Sequence, residues 1–127
     1  FVAGFLGSTN MIRGRVLTIE AGRATLDVAN YRWTLATGVP VKSGEMCDAV
    51  VRPEALVLTR DGDGLKGVVE SRVYLGAKAE YLVRVNEQVF QVVQWNPVAG
   101  ELFEAGQGVC VQLPTAGVQL LRVMEAD

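Results

Sequence analysis

The sequence predicts an all-β fold of two small tandem barrels, and three observations carry that expectation. The first is a near-repeat. Val41-Lys42-Ser43-Gly44 leads to Val50-Val51-Arg52-Pro53-Glu54, and Glu104-Ala105-Gly106 leads to Val111-Gln112-Leu113-Pro114. In each half a turn glycine precedes a β-rich run that ends at a proline, nine residues on in the first copy and eight in the second. The second is rhythm: short runs rich in valine, leucine and aromatic residues alternate with turn signals at intervals of about a dozen residues or fewer, while helical patterning is sparse. The third is the content of 14 glycines, which suits a fold with many tight reversals. Two related β units, rather than one catalytic site, organise the chain.

The first unit is expected over residues 11–60, with strands near 11–20, 23–28, 32–35, 46–51 and 55–59. Its first reversal falls at Ala21-Gly22, where the glycine supplies the conformational freedom a hairpin needs. Asp61-Gly62-Asp63-Gly64 is the strongest turn signal, because glycine after aspartate readily takes positive φ. It is the expected boundary. The second unit follows over residues 61–127, with strands near 65–75, 78–85, 88–95, 109–113 and 118–123. Asn86-Glu87 joins two runs whose alternating apolar residues face a core, and Gly76 permits a reversal or bulge after Leu75.

A chain of 127 residues has room for one compact domain, or two small barrels packed together, but not for two ordinary enzyme domains. Half of the residues are hydrophobic and a fifth charged, with a formal net charge of −2 and a pI near 5.2. That balance gives no field to attract nucleic-acid phosphates, despite the local pair Arg13 and Arg15. No apolar run reaches the roughly 20 residues that span a bilayer as a helix. The apolar, glycine-spaced start Phe1-Val2-Ala3-Gly4-Phe5-Leu6-Gly7 lacks the features of a secretory signal and has no initiating methionine, which leads us to expect a piece of a larger protein.

Motifs for chemistry are missing. The chain has no histidine, so a serine triad and imidazole acid–base catalysis are excluded, and zinc has almost no support. No GxxxxGK[ST] phosphate loop occurs. The acidic turn at Asp61 places Arg72 where a calcium loop needs its closing glutamate. Cys47 and Cys110 follow their turn glycines at similar distances, which predicts paired packing roles as buried thiols in preference to a disulfide. Trp33 and Trp95 sit on comparable strands and are expected in the core, while Tyr31, Tyr74 and Tyr81 offer polar tips at a surface. Arg52-Pro53-Glu54 is the sharpest local motif. Its proline removes a strand donor, so a structural corner is preferred over a binding role.

Taken in order, the start through Ser8-Thr9-Asn10, the corner Val51-Arg52-Pro53-Glu54, the tract Val73-Tyr74-Leu75-Gly76 with Glu80-Tyr81, and the closing region from Leu113 to Leu121 resemble a known family. It is the C-terminal regulatory region, or TOBE domain, of the ATP-binding subunits of bacterial ABC importers, closest to polyamine, iron(III) and sugar-type systems. The resemblance covers almost the whole chain and implies two tandem OB-like barrels. It further implies that residues 1–10 connect to an upstream ATPase domain, which holds ATP and Mg and carries the catalysis, while this piece is non-catalytic and holds no cofactor or metal. A homodimer is expected, as are membrane-embedded permease subunits as partners of the parent protein, at the cytoplasmic face of the plasma membrane. The expected interface or corner residues are Arg52, Pro53, Glu54, Tyr74, Leu75 and Gly76. The alternative is a stand-alone module that binds a small ligand or oxyanion.

Overall fold

Strict alternation of buried and exposed residues along Ile12, Gly14 and Val16 decides the face that the first strand turns inward. The computed structural model describes residues 8–38, 40–98 and 100–123, and every regular element in them but one is a strand. In chain order these are β1 (Asn10–Glu20), β2 (Arg23–Val28), β3 (Tyr31–Ala36), β4 (Met46–Val51), β5 (Val57–Thr59), β6 (Leu65–Tyr74), β7 (Lys78–Val85), β8 (Gln88–Trp95), β9 (Gly108–Gln112) and β10 (Gln119–Arg122). The exception is a single 3-10 turn at Pro53–Ala55. It displaces the start of the strand expected from residue 55, because proline has no N–H to give a ladder. The Ala55 N–H instead reaches back to the Arg52 carbonyl at 3.0 Å.

The strands form two five-stranded sheets, ordered β10-β4-β1-β2-β3 and β5-β9-β6-β7-β8; β10–β4, β1–β2, β2–β3 and every neighbouring pair of the second sheet run antiparallel. The first packs Ile12, Val16, Leu26, Val28, Trp33, Leu35, Cys47, Ala49, Val51 and Leu120 into its core; the second buries Leu65, Val69, Tyr81, Val83, Val85, Phe90, Val92, Phe103 and Val111. In the second sheet β5 comes back beside β8, so the sheet curls toward a closed barrel. The fold is all-β, with curled OB-like sheets.

The chain does not divide between residues 60 and 61. One compact unit takes residues 11–51 together with the segment from Pro114 on, and the other takes Arg52–Leu113 with Asn10. The cause is visible in the pairing. β5 follows β4 in the chain yet pairs with β9, and β10 follows β9 yet pairs with β4. Each half of the repeat therefore donates its fifth strand to the other sheet. The two prolines of the near-repeat stand where the chain leaves one ladder for the other. Asp61-Gly62-Asp63-Gly64 is thus an internal turn between β5 and β6. Gly64 is needed there, because at φ 146 an added Cβ would lie 2.5 Å from the Val111 carbonyl oxygen.

Candidate interface and corner residues

The repeat is a pair of matched turns. In Lys42-Ser43-Gly44-Glu45 and Glu104-Ala105-Gly106-Gln107 the last N–H bonds the first carbonyl, at 3.1 and 3.0 Å, and the third-position glycines have φ of 88° and 90°. Both turns lock onto a β-bulge. The ladder of β1 with β2 slips between Val16 and Thr18, and that of β6 with β7 slips between Val69 and Ser71. The bulged valine then uses its backbone on the turn: Gly44 N–H donates to Val16 at 2.7 Å and Gly106 N–H to Val69 at 2.7 Å. Side chains complete the match, since Glu45 accepts from the Lys42 N–H at 2.9 Å and Gln107 from the Glu104 N–H at 3.0 Å. Glu45 and Gln107 escaped the sequence reading, although each directly follows its turn glycine.

The cysteines do not share a role. Cys47 points into the core of its sheet and is fully buried, where burial, and then the charge of Glu45, raises its thiol above the usual range. Cys110 lies in register with Thr59 and Lys66, on the face opposite Leu65 and Val111, and is covered by the β5–β6 turn through a 3.5 Å contact with the Gly62 carbonyl. Both are free thiols. Trp95 likewise departs from the core expectation. Trp33 is buried and donates its indole N–H to the Pro114 carbonyl at 2.7 Å, but Trp95 is 57% exposed at the end of β8. A difference of one strand position from the core-facing row is enough to place it outside. Tyr81 is fully buried, with its hydroxyl bound to Gln94 and to the Phe103 N–H.

Of the residues singled out in the sequence, Pro53 is buried, while Arg52 and Glu54 are exposed on either side of it. The Arg52-Pro53-Glu54 segment packs through its 3-10 turn against β8. Tyr74, Leu75 and Gly76 close the β6–β7 hairpin: Leu75 donates to the Lys78 carbonyl at 2.8 Å and Gly76 takes φ 81. Tyr74 and Leu75 are 54% and 43% exposed. Register sets Trp95 opposite Lys78, whose ammonium lies 5.2 Å from the indole centroid and 3.2 Å from the nearly buried Glu80 carboxylate. No hydrogen bond or ion pair among the described residues joins the corner to the hairpin end. At this end of the unit Tyr74, Leu75 and Trp95 are exposed, and Trp95 lies against the Lys78 ammonium of the Lys78–Glu80 pair.

Comparison with known proteins follows the same lines. Residues 49–121 match the model of the TOBE domain family. The spermidine/putrescine import ATP-binding protein PotA of Acidothermus cellulolyticus is 35% identical over 136 aligned positions, which cover 100% of this chain and 36% of that protein. PotA of Mesorhizobium japonicum is 35% identical over 96% of the chain and 34% of its own length. The Fe(3+) ions import ATP-binding protein FbpC of Brucella abortus is 27% identical over 95% and 33%. The chain thus spans about a third of the length of these relatives. Among solved structures, the cytoplasmic molybdate-binding protein ModG superposes with a TM-score of 0.71 at 17% identity, over 87% of this chain and 94% of its own. That likeness speaks for the fold. With the family model covering more than half of the sequence and the OB-like sheets in place, the chain belongs to the TOBE domain family, in the form that accompanies the ATP-binding proteins of ABC importers.

Proposed function

We propose that this chain is the non-catalytic regulatory and dimerisation domain of the ATP-binding subunit of an ABC-type solute importer, of the polyamine or iron(III) class. The alignment of the entire chain with a spermidine/putrescine import ATP-binding protein is the observation that carries this reading. In such a subunit ATP, Mg and hydrolysis belong to a nucleotide-binding domain outside the present sequence, and this domain needs no cofactor. The parent protein sits at the cytoplasmic face of the membrane, docked on permease subunits.

The dimerisation role is supported by the exposed apolar end of the second sheet, where Val73, Tyr74, Leu75 and Trp95 are all solvent-facing. Light-scattering mass across the micromolar range tests it. We expect a concentration-dependent dimer that Leu75→Ser with Trp95→Ser reduces to monomer; a constant monomer mass in the wild type overturns the role. Regulation is tested in the intact subunit by Arg52→Ala with Glu54→Ala, read as transport and ATPase rates at unchanged assembly. The second reading, an oxyanion-binding module, draws on the fold shared with molybdate-binding ModG. A saturable thermal shift with molybdate would favour it.

A further inference from the structure

Gly108 has no conformational or packing reason to be glycine. Its φ is outside the left-handed region, and an added Cβ would meet nothing within 4 Å. Strands lose stability at such a residue. The neighbouring glycines differ. Gly62 has φ 123, and a Cβ on Gly67 would come within 2.7 Å of the Arg84 carbonyl oxygen. What Gly108 does is leave space. It lines a recess of about 370 Å³ bounded by Arg60, Asp61, Gly62, Lys66, Gly67, Val109 and Cys110, a volume in the range of small-ligand sites.

The register explains the recess. Lys66 lies directly opposite Cys110 and Val68 opposite Gly108, so Lys66, Cys110 and the missing side chain at 108 share one face, with the Asp61–Gly62 turn as the facing wall. The Arg60 guanidinium is occupied by the Gly100 carbonyl at 3.0 Å and the Phe103 ring. Lys66 and Asp61 have no ion-pair partner among the described residues. The lining therefore offers two cations, of which Arg60 is held toward the Gly100 carbonyl and Lys66 has no ion-pair partner among the described residues, one anion, Asp61, and open space over Gly108.

We propose that this recess is a binding site for a small zwitterion of the α-amino acid type, its carboxylate on Lys66, its ammonium on Asp61 and its side chain over Gly108. Charges of both signs on the lining favour a ligand that carries both. This site is independent of dimerisation, so either idea can fail alone.

The test is a titration of the chain with each of the twenty free L-α-amino acids at millimolar concentration, followed by amide NMR. Saturable shifts at Gly62, Gly67 and Gly108 with at least one of them are expected. Gly108→Val should keep the fold, as judged by unchanged signals elsewhere, and abolish the shifts. Lys66→Ala and Asp61→Asn should each weaken binding about tenfold or more, the scale of a charge-assisted hydrogen bond; they decide the matter if Gly108→Val does not fold. Absence of any saturable shift, shifts that persist in the variants, or equal shifts with inorganic phosphate would overturn the proposal.

Discussion

Asn10 shows how a single amide can stand in for a strand. It is buried, and its side chain both donates to the Gln91 carbonyl and accepts from the Gln91 N–H, each at 2.8 Å, as a neighbouring backbone would. Asn10→Ala leaves both groups unpaired, so urea unfolding should show a loss of about 1–3 kcal/mol. Glu45 gives a pH prediction. The Lys42 N–H first, and the Arg122 guanidinium second, hold its carboxyl below the usual range. A depressed folded pKa means that the stabilisation is present above the unfolded pKa and is lost as the pH falls through the folded value. Gln107 performs the same turn contact in the second copy without a charge, so Glu45→Gln isolates the ionic part. Melting temperatures of the wild type should fall more steeply on acidification than those of Glu45→Gln, and equal slopes would contradict the assignment.

At the scale of elements, β10 is the informative strand, because it is short and lies at a sheet edge. Four register pairs with β4, the buried Leu120 and the Arg122–Glu45 pair at 2.7 Å hold it in place. Burial should outweigh charge here, since half-exposed ion pairs contribute about 0–1 kcal/mol whereas removing a buried leucine costs about 2–5 kcal/mol. Leu120→Ala is therefore expected to destabilise more than Arg122→Ala and to speed amide exchange at residues 47–50. Comparable effects of the two would show that the ion pair, not the plug, fastens the strand. Strand positions were largely legible from alternation and turn residues, because both act within a few residues. The 3-10 turn at Pro53–Ala55 was partly legible: the proline marked a corner, but whether the next residues coil or extend depends on packing against β8.

At the scale of the molecule, the exchange of fifth strands makes each sheet depend on both halves of the sequence. A piece covering residues 11–60 contains β5 without β9 and lacks β10. We expect neither it nor residues 61–127 to give a cooperative thermal transition by circular dichroism, while a mixture of the two regains one. A cooperative melt of either piece alone would mean that the donated strand is dispensable.

The sequence by itself determined the all-β class, nearly every strand, and the matched turns with their glycines and closing prolines, since those follow from side-chain period and from backbone angles that only certain residues tolerate. It also carried the family resemblance. The pairing was decided only by tertiary structure, because a short strand such as Val57–Thr59 carries no record of its partner and hydrogen-bond ladders are generic. The same cause separates Cys47 from Cys110, exposes Trp95 and opens the recess beside Gly108. Each depends on which face a residue presents once register and bulges are set across strands far apart in the chain.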